Sequence, residues 1–461
     1  MKFDIAIIGS GPGGYVAAIR ASQLGKSVAI IERSELGGIC LNWGCIPTKA
    51  LLKSAQVFDY INHASDYGIT VGSHTADFDG MVKRSRGVAA NMSKGVEFLM
   101  KKNKITVIKG AGKLAGKGKI SVTHEGKTET VEAEHIILAT GARSRELPNV
   151  KMDGTHVIGY REAMVLPKQP KEMIVIGSGA IGMEFAYFYS TIGTKVTIVE
   201  FLPRILPIED EEVSKTMALY YRKKGIDIMT ESSVEKVEVK GDRCVVTIKG
   251  KDGEKQMECD VVLSAAGVQT NLENLGLEEM GIKSDKGKVL VDEYYRTNIP
   301  NVYAIGDIVP GPALAHVASA EAIICIENIC GVHTEPLNYG NIPGCTYTHP
   351  EVASVGLTEA QAKEKGYDIL VGKFPFSASG KASAGGHKDG FVKVIFDKKY
   401  GEWLGCHMIG EGVTDMIIEA VVARNLETTG HEIIKSVHPH PTMSEAVMEA
   451  VAQAYGECIH L

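Results

Sequence analysis

The sequence predicts an α/β chain built around two copies of one strand–helix–strand unit, followed by a smaller C-terminal α+β segment. Three observations carry that expectation. The apolar run FDIAII (residues 3–8) enters a glycine-rich turn containing Gly9, Gly11 and Gly14. A second run, EMIVI (residues 172–176), enters the same kind of turn, with Gly177, Gly179 and Gly182. The interval from Gly9 to Glu32 equals that from Gly177 to Glu200, so the unit repeats in register.

Each unit has the parts that dinucleotide binding requires. Helix-like runs, YVAAIRASQLG and MEFAYFYSTIG, follow the two loops, and the strands SVAIIE and KVTIVE end at Glu32 and Glu200. In such a unit the backbone N–H groups of the loop and the helix N-terminus face a pyrophosphate. The carboxylate at the end of the second strand accepts from ribose hydroxyls. One unit holds one dinucleotide, so two units imply a hydride handed between two cofactors. A flavin and a nicotinamide are the natural pair, FAD and NAD. At the second unit Glu200 suits a free ribose 2′-hydroxyl and repels a 2′-phosphate. Gly182 in place of alanine fits the NAD form as well. Arg204 is either a phosphate partner or a solvated loop charge beside Pro203.

Composition narrows the class. The chain has 461 residues, a prior of about three domains at ~150 residues each. Lys+Arg is 50 and Asp+Glu is 56, for a net charge of −6, which argues against a nucleic-acid footprint. No run of about 18 apolar residues is present, so no membrane span is expected. Met1 leads directly into the first strand without the pattern of a secretory signal, which fits a cytoplasmic setting. Nine cysteines are too few for a disulfide scaffold. In a reducing compartment a cysteine pair that matters is catalytic more often than structural.

One pair stands out. In GGICLNWGCIPTK (residues 37–49), Cys40 and Cys45 sit in a glycine-bounded segment. On a regular helix, with ~1.5 Å rise per residue, that spacing is too long for a disulfide. Gly44 and Pro47 make an irregular turn plausible, with a helix starting near Pro47 and running through KALLKSAQVF. Cys45 would then lie at a helix N-terminus, where partial positive charge favours thiolate. The bland alternative is two buried free cysteines. Cys325 and Cys330 repeat the spacing inside a helical pattern and should point to different faces. Cys244, Cys259, Cys345 and Cys406 are scattered, and no C-x2-C pair suggests a metal site.

These segments resemble the FAD-dependent pyridine nucleotide–disulfide oxidoreductases. The resemblance covers essentially the whole chain. It extends through ATGA (139–142), TNIPNVYAIGD (297–307), YTHPEVASVGLTE (347–359) and HPHPTMSE (438–445). It implies that Cys40 and Cys45 are the redox pair, that Lys49 lies near the flavin and that Glu184 is its ion-pair partner. FAD contacts are implied at Gly9, Gly11, Gly14, Glu32, Lys49, Gly112, Thr140, Gly141, Asp307, Ala315 and His316. NAD contacts are implied at Gly177, Gly179, Ile181, Gly182, Glu200 and Gly267. Without the resemblance, Asp307 reads as a strand-end turn, Lys49 and Glu184 as helix-surface charges, and Thr140 and Gly141 as a loop.

His440, between Pro439 and Pro441, is the acid–base candidate, because thiol chemistry near neutral pH needs a proton acceptor. Glu445 could orient its imidazole. Thr442-x-x-Glu445 is equally a capping box for the last helix. The resemblance favours the His440–Glu445 dyad and makes His438 a neighbour. It places an FAD domain at 1–145, an NAD domain at 146–270, a central return to FAD at 271–341 and a dimerisation domain at 342–461. Inside the first, KKNKITVIKGAGKLAGKGKI reads as a surface β-meander.

HPHPTMSE and the NAD-type loop resemble family members that oxidise dihydrolipoamide. The implied partner is a lipoyl domain of a 2-oxo acid dehydrogenase complex or the glycine cleavage H-protein, with the chain acting as a homodimer. His440 would come from the partner subunit. Rival readings are a glutathione or mercuric reductase, or a non-catalytic flavoprotein redox sensor. A glutathione reductase would prefer HPTSSE, an aromatic near Ala180 and a cationic 2′-phosphate site. Mercuric reductases carry a C-terminal cysteine pair, and here Cys458 stands alone. The complete Cys40, Cys45, His440 and Glu445 set argues against a sensor.

Overall fold

Runs of β-branched residues bounded by glycine turns set the strands. The computed structural model describes residues 1–251 and 253–461. The chain divides into two compact units: Met1–Leu51, Asp77–Arg145 and Gly267–Leu337 in one, Leu52–Ala76, Glu146–Ala266 and Asn338–Leu461 in the other.

In the first unit, parallel strands lie in the order Thr106–Lys109, Val28–Glu32, Lys2–Ile8, Lys127–Leu138, Val302–Ala304. Ile5, Ile7 and Ile30 are fully buried, as a parallel sheet covered on both faces requires. Ala17, Ala18 and Ala21 of the helix Pro12–Gln23 and Ala322 and Ile326 of the helix Ala315–Ile329 cover one face. Leu114, Ile120 and Val131 pack on the other. Lys127–Leu138 serves two sheets at once. Its first half pairs antiparallel with Lys119–His124, and its last residues join the parallel array. The lysine-rich excursion is therefore a meander only from Ala111. Its earlier part, Thr106–Lys109, is the outer parallel strand, because Ile108 turns inward while Lys109 stays in water.

The second unit repeats the pattern, in the order Asp227–Met229, Lys195–Val199, Glu172–Ile176, Val261–Ser264, Val157–Ile158. An antiparallel sheet, Ser233–Lys240, Arg243–Gly250 and Gly253–Cys259, packs on it through Val246 and Ile248. Cys244 and Cys259 are not scattered here: they are register partners on adjacent strands, both buried. The C-terminal part is a five-stranded antiparallel sheet, in the order Gly344–Thr346, Glu351–Gly356, Trp403–Gly410, Phe391–Asp397, Ile369–Pro375. The helices Val413–Asn425 and Glu445–Ala454 bury Ile417, Ala420, Val447 and Val451 with that sheet's core residues. Among the described residues no helix is long and apolar enough to cross a membrane.

A buried cation ties two parts of the second unit together. Lys393, on the strand Phe391–Asp397, is 2% exposed. Its Nζ reaches Asp210 at 3.0 Å, Glu212 at 2.9 Å and Glu359 at 2.6 Å. Burial opposes ionisation of Asp210 and Glu212, but Lys393, helped at Glu212 by Lys373, outweighs it and holds both carboxyls below their usual range. Hydrogen bonds from Lys363 and then Lys393 do the same at Glu359. Depressed carboxyl pKa values contribute stability above the unfolded value of about 4, and that stability is lost as pH falls through the folded values. Lys393→Met should lower stability by about 3–5 kcal/mol at neutral pH, because it strands the buried Asp210 carboxylate. The deficit should shrink below about pH 4. Urea unfolding at both pH values checks this, and an unchanged midpoint at pH 7 would refute it.

Candidate active site

Both glycine loops are built the same way. A Cβ on Gly14 would lie 1.9 Å from the Gly9 carbonyl oxygen, and one on Gly182 would lie 2.1 Å from that of Gly177. Only glycine lets each helix start against its own strand end. Gly11 and Gly179 instead border open space, on the side where a pyrophosphate would approach. The two acids fold back onto the loops. Glu32 Oε2 accepts from the Ser10 amide at 2.9 Å and hydroxyl at 2.7 Å, and Oε1 from the Ser34 amide at 2.8 Å. Glu200 Oε2 accepts from the Ser178 amide at 2.8 Å and hydroxyl at 2.6 Å, and Oε1 from the Leu202 amide at 2.8 Å. A carboxylate has about four acceptor sites, so each acid keeps capacity for a ribose hydroxyl. The serine between the first two glycines, Ser10 and Ser178, ties each acid to its loop, a contact missed in the sequence although the repetition of the serine was visible. Arg204 donates to the Pro207 carbonyl at 3.2 Å, within its own loop.

The thiols meet across a break between two helices. Gly38–Trp43 carries Cys40, Gly44 interrupts the chain at φ −143°, ψ −116°, and a second helix runs Cys45–Asn62. That helix starts at Cys45, two residues earlier than the expected start near Pro47. Cys40 and Cys45 are both free thiols and both half-buried. Their mutual hydrogen bond, reinforced by burial, raises the Cys40 pKa far above the ordinary thiol range, with nearby Lys49 opposing. Cys45 is the first residue of its helix, where the partial positive charge of the N-terminus favours a thiolate. Lys49 lies one turn along the same helix. Arg86 caps this segment, donating to the Asn42 carbonyl and stacking over Trp43 at 3.9 Å.

The remaining flavin candidates gather in the first unit. The Thr140 hydroxyl donates to the Asn271 carbonyl at 2.7 Å, and Gly141 turns the chain at φ +67°. Asp307 sits in the turn Gly306–Ile308, and Lys288 donates to its carbonyl. Burial raises the Asp307 carboxyl pKa against the pull of Lys288. A ligand hydroxyl donated to that carboxyl would relieve the burial cost, so the site fits a polyhydroxylated chain such as ribityl. Ala315 and His316 open the helix Ala315–Ile329. Gly112 lies beneath the sheet, where a Cβ would sit 3.2 Å from Ile8. Gly267, at φ +98°, accepts a backbone hydrogen bond from Arg145.

In the second unit Ile181 and Glu184 lie on the helix Ala180–Thr191. Glu184 is buried, and its Oε1 accepts from the Tyr347 amide at 3.0 Å. Glu445 resolves the two readings of HPHPTMSE by using one oxygen for each. Oε1 lies 2.8 Å from His440 Nδ1, and Oε2 accepts from the Thr442 amide at 2.8 Å. The other half of the capping box is absent, since the Thr442 hydroxyl donates to Pro439 and the last helix begins at Glu445. Burial opposes ionisation of Glu445, but the Thr442 amide and His440 outweigh it and hold its pKa low. The His440 side chain is 76% exposed. His438 forms a second dyad that the sequence did not suggest, with Nε2 2.9 Å from Glu419 Oε1. That bond raises the His438 pKa despite burial.

Residues 3–322 match the pyridine nucleotide-disulphide oxidoreductase family, and residues 342–451 match its dimerisation domain. The chain belongs to that family. FAD and NAD(H) are the family's cofactors. The chain is 50% identical to a dihydrolipoyl dehydrogenase of Zymomonas mobilis, over 99% of each sequence. It is also 50% identical to one from Rhizobium etli, over 100% of this chain and 99% of that protein. The crystal structure of LpdA from Mycobacterium tuberculosis matches with a TM-score of 0.90 at 26% identity, over 97% of this chain and 99% of that one.

Glu200→Ala should weaken NAD binding by ~1.5–3 kcal/mol, the worth of a hydrogen bond to a charged group. Wild type should prefer NAD strongly over NADP. Calorimetric titration and kcat/KM for both nucleotides check this, and equal use of NADP would overturn the assignment of Glu200.

Proposed function

We infer that the chain is a dihydrolipoyl dehydrogenase, oxidising protein-bound dihydrolipoamide with NAD+ through the Cys40–Cys45 pair and FAD. The observation that carries this reading is the thiol pair, brought together across the break at Gly44 with Cys45 as the first residue of a helix. With Nδ1–H donated to Glu445, the Nε2 lone pair of His440 is the base, and it takes the proton of the first substrate thiol. The substrate thiolate attacks Cys40 Sγ of the oxidised pair, the Cys40–Cys45 bond breaks, and Cys45 leaves as a thiolate. The second substrate thiol closes the substrate disulfide and displaces Cys40, which departs with that thiol's proton. Two electrons then reside on the enzyme pair and the imidazole holds the other proton. FAD and NAD, when bound, supply the hydride chemistry that restores the disulfide.

The resemblance supports FAD binding by 1–145, NAD binding by 146–270, a return to FAD over 271–341 and dimerisation by 342–461. A homodimer has a physical motive. Ile418, Val422 and Leu426 recur at helical spacing along the helix Val413–Asn425 and just past its end, and they are exposed by 57%, 49% and 68%. Covering such a stripe is the usual role of a second subunit. In the dimer, His440 of one subunit serves the Cys pair of the other. The partner is a lipoyl domain of a 2-oxo acid dehydrogenase complex or the glycine cleavage H-protein, in a cytoplasmic setting.

Turnover of dihydrolipoamide with NAD+ tests the reading directly. Cys40→Ser should abolish turnover but keep the long-wavelength absorbance of a Cys45 thiolate beside the flavin. Cys45→Ser should lose that band, and its persistence would invert the two roles. His440→Gln should lose roughly 10²–10⁴-fold in kcat/KM. Mixed dimers of His440→Gln with Cys45→Ser should regain up to half of wild-type activity. Mixed dimers that bind FAD fully yet stay inactive would place His440 on its own chain.

A further inference from the structure

We propose that His349, His387 and Glu411 form a binding site for a divalent transition-metal cation of the zinc class, apart from the redox residues. No metal-ligand spacing marks these residues in the sequence, and only the C-terminal sheet assembles them. His349 lies just before the strand Glu351–Gly356, His387 just before Phe391–Asp397, and Glu411 just after Trp403–Gly410. These three strands are neighbours, with Glu351 opposite Gly410 and Phe391 opposite Ile409. The three side chains therefore spring from one end of one sheet, a rigid support for a metal site.

Among the described residues, one imidazole nitrogen from each histidine and one Glu411 oxygen lie within 4.8 Å of one another. Ligands at about 2.1 Å from a tetrahedral ion stand about 3.4 Å apart. His349 Nδ1 and Glu411 Oε2 are already 3.2 Å apart. Both atoms are sealed from solvent, and each has the other as its polar neighbour. That separation is close to the ligand–ligand distance around a tetrahedral ion, so a cation can engage both atoms with little rearrangement. The two edges to His387 are at most 4.8 Å, so closing them onto an ion takes side-chain movements of no more than about 1.4 Å.

The surroundings hold the ligands in place, as the outer shell of a metal site does. Tyr60 contacts His387 Nε2 at 3.1 Å, and Gln56 donates to Glu411 Oε1 at 3.4 Å. The imidazole of His349 packs against Tyr187 and Tyr220. Asp59 and Asp389 also line the cavity, and its one lysine, Lys224, is paired with Asp59 at 3.4 Å. That wall favours a cation. Two imidazoles and a carboxylate select zinc, cobalt or nickel over calcium or magnesium, and three protein ligands leave a fourth position open.

The site does not depend on the reading of the redox centre, and its test can keep the two apart. FAD-loaded enzyme with its cysteines oxidised is dialysed against Zn(II), and bound metal is counted by atomic spectrometry. One zinc per chain is expected, with an affinity at least tenfold weaker in His387→Ala and in Glu411→Gln and unchanged in Cys40→Ser. Zn(II) should also raise the thermal midpoint of wild type but not of His387→Ala, whose metal-free midpoint and turnover should match wild type. Failure to bind zinc, zinc retained at full affinity in both ligand variants, or zinc lost with Cys40→Ser would each overturn the site.

Discussion

Both nucleotide units depend on one close approach, that of the first helix to the glycine loop before it. Gly14 and Gly182 sit so near the carbonyls of Gly9 and Gly177 that a single methyl group would collide with backbone. The approach lets the helix N-terminus begin at the sheet's edge. It also brings the loop serine within reach of the acid ending the second strand. Glu32 and Glu200 thereby brace the loops they are expected to share with a ribose. The same serine, glycine and glutamate recur in both units because each loop is braced in the same way.

The thiol pair obeys a different constraint. Its two cysteines could not meet on one continuous helix, and the break at Gly44 is what turns Cys40 back towards Cys45. The break also makes Cys45 the first residue of a new helix. Geometry that permits a disulfide thus also separates the roles of the two sulfurs. Cys40 closes the first helix's turn towards its partner, and Cys45 lies where a helix N-terminus favours negative charge.

Carboxylates in the second unit are used economically. Glu445 divides its oxygens between an imidazole and a backbone amide, so the His440 ring is aligned by the start of the last helix. Glu419 holds His438 beside it. Lys393 gathers three acids at the heart of the unit. In each case charge is placed among partners that fix its direction, and burial strengthens the arrangement only because those partners are present.

The sequence by itself determined the two α/β units, their acids, the thiol pair and the His440–Glu445 neighbourhood. All of these are encoded by residues close along the chain, where strand period, glycine spacing and helix starts can be read directly. Other features depend on residues distant in sequence. The strand Lys127–Leu138 joins two sheets, Cys244 faces Cys259 across a hairpin, and Thr106–Lys109 leaves the expected meander for the parallel sheet. His349, His387 and Glu411 share no motif and meet only because three neighbouring strands end together. Local chemistry is legible in a sequence, whereas convergence of separate segments is set by strand pairing, which only the folded sheet fixes.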